Sequence, residues 1–472
     1  EQYKPQDAEA FVMNFWEDNK VYQKLKKRNA GKKVFFYLDG PPYTTGRIHI
    51  GHAWGKALRD SILRYKRMAG FDVWDQPGFD MHGLPIEKAV EKELGITSKK
   101  EIVERVGVEQ FISKCRAFGL EQMKPMIKDF ARLGVWMEWD RPYMTIKNEY
   151  VEGAWWALAQ AQKKGLLYKG KRTMTWCAGC ATALAKHELE YENRKDPSLF
   201  LKFKVENEPD TFLIIWTTTP WTLPFNMAVM ANPEADYVVA EIESTKEKWI
   251  LAKALHIGVI GAVAGEKFKV IKELKGEELE GKRYEHPFKD LQYHQNRRKD
   301  TENAYTVILS DKHVGLDAGS GLVHCAPGCG AEDFEVGKEY DIPPYNDVDE
   351  HGVFPSSMEY LAGLRAKVDD AVFVEQLRKR GNLIDAGEIE HEYPLCWRSK
   401  DPVIFRATEQ WFLAVEQLRE TMRTLNKDVR WTPEWAGNKW FDSWLSNLQD
   451  WCISRQRYWG IPLPIWINDE GD

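Results

Sequence analysis

The fold of this chain is indicated most clearly by the stretch PPYTTGRIHIGH, which runs from Pro41 to His52. An apolar run, Val34 to Leu38, precedes it, and an amphipathic run with a helical period follows it and stops at Gly70. One face of the predicted helix carries Trp54, Ala57, Leu58, Ser61, Ile62, Tyr65 and Ala69. The order is therefore strand, tight loop, helix. Because the first turn of a helix offers unpaired N–H groups and the positive end of the dipole, this loop suits a polyphosphate.

Two histidines and a glycine stand where the predicted helix begins. Gly51 would let an adenine approach the backbone, while His49 and His52 could donate hydrogen bonds to phosphate oxygens. Such a pair is also typical of surface or capping residues, or of metal ligands. The whole run resembles the HIGH signature of class I aminoacyl-tRNA synthetases, which implies an ATP site. By this resemblance His49, Gly51 and His52 are catalytic, and ATP is bound by these three with Pro41, Pro42 and Tyr43.

A second run points to one branch of that family. Phe71 to Trp74 is predicted to be the next strand, and it leads into PGFDMHGLPIE, Pro77 to Glu87. Ligands of open parallel sheets lie outside the carboxyl ends of the strands, so Asp80 would be placed to hold the α-ammonium of an amino acid. The alternative is a turn residue after Gly78. The run resembles the isoleucyl branch, in which this aspartate binds the substrate amine.

A third run, WCISRQRYWGIP from Trp451 to Pro462, resembles the same branch. The resemblance implies that Trp459 contributes to the isoleucine pocket and that Gln456 serves the polar end of the substrate, together with Pro42 and Asp80. For any single tryptophan, including Trp459, a place in the core is the plainer alternative. The resemblance covers essentially the whole chain.

Composition limits the remaining possibilities. A chain of 472 residues exceeds the usual size of one core, so two or three domains are expected. The net charge of −6 means that any tRNA contact must rely on local patches. No apolar run approaches the roughly 20 residues of a membrane span, and there is no signal-peptide pattern. The seven cysteines are few and odd in number, which fits a reducing cytosol. We expect a cytoplasmic protein, monomeric and without a membrane partner.

The texture of the sequence changes along the chain. The first 30 residues predict a helical lead-in, and a strong helix through Val151 and Leu158 stops near Gly165. Short strands separated by turns follow, which predicts a β-rich unit. These strands are Leu199–Val205, Phe212–Trp216, Tyr237–Ala240, Trp249–Leu251 and Tyr305–Leu309. From about residue 390 the sequence is again rich in aromatic residues and is expected to form helices.

The resemblance also implies a fold and a set of domain boundaries. It implies an α/β chain in which a Rossmann-like class I synthetase catalytic domain is interrupted by a β-rich editing domain. We expect the lead-in and the first half of the catalytic domain, with the HIGH motif, in residues 1–195. The inserted editing domain is expected in residues 196–385, and a second, incomplete part of the catalytic region in residues 386–472.

The β-rich insert contains two further runs of interest. WTTTPWTLP, from Trp216 to Pro224, offers three adjacent hydroxyls, and GSGLVHCAPGCGAEDF, from Gly319 to Phe334, offers a glycine-rich bend. A threonine-rich strand and a structural histidine are the plain alternatives. Together the runs resemble the hydrolytic editing pocket of isoleucyl and valyl enzymes. This resemblance implies that Asp333 grips the misattached amino acid and that Thr217, Thr218, Thr219 and His324 surround the ester. Cys329 stands where many relatives carry histidine.

Cysteines at two separate places have the spacing of a zinc ribbon. Cys177 and Cys180 form one C-x-x-C pair, and Cys396 is the natural partner across the insert. Ser399 stands where a fourth cysteine would complete the set, so His391 or a water would have to replace it. The alternative is two clusters of packed thiols, and a disulfide is the least expected outcome.

These observations lead to one functional prediction and two alternatives. The resemblance implies an isoleucine–tRNA ligase that uses ATP with Mg²⁺, isoleucine and tRNA(Ile), and that hydrolyses mischarged valyl-tRNA(Ile). The alternatives are a valyl-type enzyme and a non-catalytic fragment that binds an amino acid or tRNA. The second family signature, KMSKS, is not found in the sequence, so we expect this chain to be the front portion of a longer protein.

Overall fold

The structure is a computed structural model that describes residues 3–96, 99–295 and 297–468, the side chain of His187 aside. The chain divides into two compact units. The first, called here the α/β unit, comprises Glu1–Leu167 and Arg457–Asp472; the second, called the β-rich unit, comprises Tyr168–Gln456. Within the described residues, no helix is both long enough and apolar enough to span a bilayer.

The α/β unit alternates helices with short parallel strands. Its helices are α1 (Pro5–Asp18), α2 (Val21–Asn29), α3 (Ile50–Met68), α4 (Leu84–Leu94), α5 (Lys99–Glu101), α6 (Val108–Arg132) and α7 (Asn148–Lys163). Its strands are β1 (Val34–Phe36), β2 (Asp72–Trp74), β3 (Gly78–Phe79) and β4 (Tyr143–Met144). β1 pairs in parallel with β2, and β3 with β4. The predicted order of strand, loop, helix and second strand is therefore confirmed, as are the helical lead-in and the helix that ends before Gly165.

The two faces of α3 are used in an unexpected way. An amphipathic helix normally turns its apolar face to the core, yet Trp54 is 68% exposed and Leu58 60% exposed. The buried side of α3 carries charged residues together with Leu63: Lys56, Asp60 and Arg67. Burying these charges is tolerated because each has an oppositely charged partner within the unit. The core of the unit is built instead around α4, α6 and the loop after β3.

The β-rich unit contains most of the strands. They are β5 (Leu167–Cys177), β6 (Thr182–Ala183), β7 (Leu189–Lys204), β8 (Thr211–Thr217), β9 (Ala228–Ala231), β10 (Asp236–Ile242), β11 (Lys248–Ala252), β12 (Phe268–Lys275), β13 (Thr306–Leu309), β14 (Leu322–Cys325), β15 (Leu383–Cys396), β16 (Ile404–Leu413) and β17 (Trp451–Cys452). Its α-helices are α8 (Arg297–Asp300), α9 (Ala331–Glu339), α10 (Asp370–Lys379), α11 (Arg419–Asn426) and α12 (Asp442–Ser446). The predicted strands of this part are confirmed.

Two sheets organise the β-rich unit. The larger has nine strands, seven of them in the order β12-β10-β11-β8-β14-β9-β13, while β7 pairs with both β8 and β15. The smaller follows the order β17-β16-β5-β6. The expectation of helical texture from about residue 390 is wrong for the stretch up to Leu413, which continues β15 and then forms β16. Helix begins again only after this point, and β15 is extended because its whole length pairs with β7.

Candidate functional sites

The start of α3 is held by the two predicted histidines. His49 is the N-cap of the helix, and its Nδ1 accepts hydrogen bonds from Gly51 N at 3.1 Å and His52 N at 3.3 Å. The two imidazole rings stack with their centroids 3.7 Å apart. A Cβ on Gly51 would lie 3.1 Å from the His49 ring, so glycine suits this position. Burial, with smaller effects from His49 and Lys56, lowers the pKa of His52, so its ring is neutral at pH 7.

The two predicted loops of the α/β unit lie side by side. Tyr43 and Asp80 form an isolated parallel β-bridge. In it, Asp80 N donates to Pro42 O at 3.0 Å, and Thr44 N donates to Asp80 O at 3.2 Å. Tyr43, which is predicted to bind ATP, and Asp80, which is predicted to bind the amino acid, therefore occupy paired backbone positions.

The Asp80 carboxylate is partly buried at this junction. Burial raises its pKa, while hydrogen bonds from the His82 N–H and from Thr145 lower it. The His82 bond reaches Asp80 Oδ1 at 3.2 Å. A carboxylate held by neutral donors in a partly desolvated place is stabilised further by a cation. The arrangement is therefore suited to an ammonium group.

Trp459 lies beside the same loop. Its Nε1 donates to Met81 O at 2.7 Å, and Gly83 N donates to Trp459 O at 3.2 Å. The indole also meets the His82 ring edge-on, with the centroids 5.1 Å apart. Trp459 is only 5% exposed and belongs to the hydrophobic core of the unit. The structure confirms the place of Trp459 in the core, while its contribution to an isoleucine pocket and the role of Gln456 stay predictions.

Sequence reasoning missed a residue that links these loops. Asp39 is fully buried. Its carboxylate accepts hydrogen bonds from Lys56 Nζ, from Tyr37 OH at 3.0 Å and from Gly78 N at 3.1 Å. Its carbonyl oxygen accepts from Tyr143 OH at 2.7 Å. Asp39 thereby joins the end of β1, α3, β3 and β4. The available signal was Lys56, which stands one helical turn after His52 on the same side of α3.

In the β-rich unit, a chain of hydroxyls runs from the threonine run to His324. Thr217 Oγ1 and Thr219 Oγ1 are 3.3 Å apart, Thr219 Oγ1 and Thr222 Oγ1 also 3.3 Å, and Thr222 Oγ1 lies 3.1 Å from His324 Nε2. β8 and β14 are neighbouring strands, which brings the two runs together. Thr218 lies half-buried between the other threonines. Sequence reasoning missed Thr222, the link to the imidazole.

Burial keeps His324 neutral, since it lowers the pKa to about 4. Its Nδ1 has no hydrogen-bond partner among the described residues. Asp333 stands in the first turn of α9, and its Oδ2 accepts from Ala326 N at 2.9 Å, just beyond the end of β14. Burial raises the pKa of Asp333 to about 6. Cys329 is buried, and Asn346 Nδ2 donates to its sulfur at 3.3 Å.

The three predicted cysteine ligands form one buried cluster. The Sγ atoms of Cys177, Cys180 and Cys396 all lie within 4.8 Å of one another. Ser399 Oγ lies 3.2 Å from Cys177 Sγ. His391 is engaged elsewhere, because its Nε2 lies 2.8 Å from Asp196 Oδ2. It also precedes Cys396 by five residues of extended β15, about 16 Å. The suggestion that His391 completes the set is therefore wrong.

Comparisons with known proteins agree with the sequence patterns. The family model described as tRNA synthetases class I (I, L, M and V) matches residues 11–472. The isoleucine–tRNA ligase of Pyrococcus horikoshii is 50% identical over 476 residues, which cover 100% of this chain and 44% of that protein. The isoleucine–tRNA ligase of Methanocaldococcus jannaschii is 47% identical over 97% of this chain and 45% of its own length. The chain thus spans less than half the length of these curated relatives.

Among solved structures, one similar to this chain is a crystal structure of a ternary complex of Agrobacterium radiobacter K84 LeuRS with tRNA and LeuAMS. It is 16% identical, with a TM-score of 0.38, and the match covers 99% of this chain and 52% of that one.

Proposed function

The chain belongs to the class I tRNA synthetases (I, L, M and V), and we propose that it is the front part of an isoleucine–tRNA ligase. In this proposal it acts in the cytoplasm, joins ATP and isoleucine as isoleucyl-adenylate, and takes part in transfer of isoleucine to tRNA(Ile). Residues 1–195 and 386–472 contribute to activation, and residues 196–385 form an editing domain.

The observation that carries the proposal is the β-bridge between Tyr43 and Asp80. ATP bound at the start of α3 and an amino acid held through its ammonium by Asp80 would lie next to each other. The substrate carboxylate would then attack the α-phosphorus in line, without a protein nucleophile. The contribution of the chain is positioning, together with hydrogen bonds from His49 and His52 to phosphate oxygens. Mg²⁺ bound with ATP would supply charge neutralisation at the phosphates.

Calorimetric binding tests the amino-acid site without requiring turnover. The chain should bind a non-hydrolysable isoleucyl-adenylate analogue, and Asp80→Asn should weaken binding by about 1.5–3 kcal/mol, the range for a hydrogen bond to a charged group. ATP alone should bind equally to both proteins. Asp140→Asn is the matched control, because Asp140 is an exposed aspartate of the same unit. Equal affinity of Asp80→Asn and wild type for the analogue would refute the assignment.

The valyl-type alternative makes a different prediction in the same assay. A valyl enzyme would bind the valyl-adenylate analogue more tightly than the isoleucyl one, since its pocket would be too small for the extra methylene. A non-catalytic fragment would bind an analogue but support no pyrophosphate exchange after the remaining length of the relatives is restored. The sequence identity of 50% and 47% to two isoleucine–tRNA ligases supports the isoleucyl proposal over the valyl-type enzyme and the non-catalytic fragment.

The editing function rests on the hydroxyl chain and Asp333. One methylene separates isoleucine from valine and is worth about 1–3 kcal/mol, a figure already known for this pair in enzymes of this type. A second site that admits valine and hydrolyses its ester restores accuracy. Asp333 would hold the ammonium of the misattached valine. Thr217, Thr219 and His324, joined through Thr222, would position a water at the ester carbonyl.

Release of labelled valine from pre-charged tRNA(Ile) tests this function. The chain should deacylate valyl-tRNA and spare isoleucyl-tRNA, and Asp333→Asn should remove the activity. Because the pKa of Asp333 is about 6, kcat/KM should fall about tenfold per pH unit below pH 6, where the ammonium loses its anionic partner. The control is Asp341→Asn, an exposed position in the same unit. Equal rates on both esters, or an unchanged Asp333 variant, would make this loop a scaffold.

The cysteine cluster adds a structural metal to the proposal. Three buried thiols within 4.8 Å of one another suit Zn²⁺, which prefers thiolate ligands. The ion would tie β5 to the end of β15. Elemental analysis should find about one zinc per chain, and Cys177→Ala should remove it. Metal-free protein with an unchanged melting temperature would favour the packed-thiol alternative.

A further inference from the structure

Two turns of the same kind meet at the cysteine cluster. In the first, Cys180 N donates to Cys177 Sγ at 3.2 Å, so the fourth residue of the turn binds the sulfur of the first. In the second, residues 397–399 form the same turn after Cys396, and Ser399 follows Cys396 at the same spacing. Ser399 therefore occupies, in the second turn, the place that Cys180 occupies in the first.

The spacing of the side-chain atoms fits a tetrahedral ion. With Zn–S bonds of about 2.3 Å, two thiolates of a tetrahedral site lie about 3.8 Å apart. Cys180 Sγ and Cys396 Sγ are 3.9 Å apart. A sulfur and an oxygen ligand would lie about 3.5 Å apart by the same geometry, and Ser399 Oγ is 3.2 Å from Cys177 Sγ. The serine oxygen is thus within a few tenths of an ångström of the expected ligand spacing.

We propose that Ser399 Oγ is the fourth ligand of the metal, which gives a site of three thiolates and one hydroxyl oxygen. This inference rests on the proposed zinc site and adds its coordination. The Asp401 N–H donates to Ser399 Oγ at 3.3 Å, which fixes the direction of the side chain and leaves a second lone pair for the ion.

The donor set has a chemical consequence. With neutral serine, the site of Zn²⁺ and three thiolates carries a net charge of −1, whereas four thiolates would give −2. A hydroxyl is also a harder and weaker ligand for Zn²⁺ than a thiolate. This site should therefore bind zinc less tightly than its four-cysteine version and exchange it faster.

Two variants and a control test the coordination. Ser399→Cys supplies a fourth thiolate, Ser399→Ala removes the oxygen, and Ser61→Cys adds a thiol on an exposed position of α3. Zinc affinity is measured by chelator competition, and Co²⁺ replaces zinc so that thiolate-to-cobalt charge-transfer absorption reports the number of sulfur ligands. Ser399→Cys should tighten zinc binding about 10–100-fold, the scale of changes around a metal site, and raise this absorption by about a third. Ser399→Ala should weaken binding by at least several-fold.

The outcomes separate the two proposals. If wild-type protein binds no zinc, the metal proposal and the serine ligand both fall. If zinc binds through the three cysteines but Ser399→Ala has wild-type affinity and an unchanged cobalt spectrum, the metal proposal stands and the serine ligand is refuted. A wild-type cobalt spectrum as intense as that of Ser399→Cys would also refute it. Ser61→Cys should match wild type in both measurements.

Discussion

At the scale of single residues, His49 and His52 perform a structural task that is compatible with phosphate binding. The His49 ring accepts hydrogen bonds from the backbone N–H groups of Gly51 and His52. These are the groups that would donate hydrogen bonds to a bound phosphate. A phosphate is anionic, so its hydrogen bonds to these donors are charge-assisted and stronger than those of a neutral imidazole. Capping and ATP binding are therefore successive uses of the same donors.

Substitution of His52 is therefore expected to change the rate of adenylate formation more than the affinity for isoleucine. His52→Ala should lower the rate of adenylate formation by about 10²–10³-fold, because the ring serves charge that develops at the phosphates in the transition state. Binding of isoleucine should change little, since that contact belongs to Asp80. Pyrophosphate exchange in the full-length protein measures the first effect and equilibrium titration the second. An equal loss in both would assign His52 a structural role.

Sequence reasoning found the residues whose chemistry is local and missed those defined by long-range contacts. Asp80 and His324 stand in recognisable runs, so their neighbourhoods could be predicted. Asp39 gains its importance from Gly78 and Tyr143, which are distant in sequence. No periodicity or motif predicts such a contact. From the sequence alone, Asp39 has the pattern of a turn residue, because its hydrogen-bond donors are distant along the chain.

At the scale of secondary structure, α3 is attached to the loops through a buried ion pair. Lys56 and Asp39 have side chains exposed by only 4% and 0%. Desolvation of an ion pair is costly, so its value lies in holding α3, β1 and the loop before Asp80 in one arrangement. The prediction from sequence placed α3 correctly. It could not show that the charged side of this helix is buried, because charged residues on a helix normally indicate a side that faces solvent.

Because each charge compensates the other, the pair should show strong coupling. Asp39→Asn and Lys56→Met should each lower the free energy of unfolding by about 3–5 kcal/mol, because each strands a buried group. The double variant should lose less than the two single losses together, with a coupling energy of at least about 1 kcal/mol. Urea denaturation of the four proteins measures this cycle. Additive losses would mean that the two residues act independently.

The failed expectation near residue 390 has a similar origin. The stretch from Leu383 to Cys396 is strand because it pairs along its length with Leu189–Leu201. Cross-strand pairing of segments nearly 200 residues apart decides the conformation there, and strand propensity depends strongly on such context. The strands between Phe212 and Leu309 were predictable because their apolar runs are short and bounded by turn residues.

At the scale of the whole molecule, the β-rich unit concentrates buried neutral histidines. Burial lowers the pKa of His294 to about 3 and of His324 to about 4, and it lowers that of His286 well below its usual value. The His286 and His294 rings stack with their centroids 3.7 Å apart. Two carboxylates have the opposite property, since burial raises the pKa of Asp333 and of Asp370 to about 6.

The sign of the pH dependence follows from these shifts. Below pH 6.5 the histidines take up protons in the unfolded chain but not in the folded unit, so each costs about 1.4 kcal/mol of stability per pH unit. Asp333 and Asp370 protonate in the folded unit first, and between pH 6 and 4 each returns a similar amount. Three histidines against two carboxylates leave a net loss of about 1.4 kcal/mol per pH unit in this window.

Urea denaturation at pH 7 and at pH 5 should therefore show the β-rich unit losing about 3 kcal/mol of unfolding free energy on acidification. His294→Gln removes one titrating group and should abolish most of this loss, whatever its effect on stability at pH 7. The slope with pH, and not the absolute stability, is the diagnostic quantity, because a packing defect shifts both measurements equally. Thr245→Ala, at an exposed position in the same unit, is the control and should keep the wild-type slope because it changes no titrating group. A wild-type stability that is equal at the two pH values would show that the buried histidines exchange protons with solvent in the folded state.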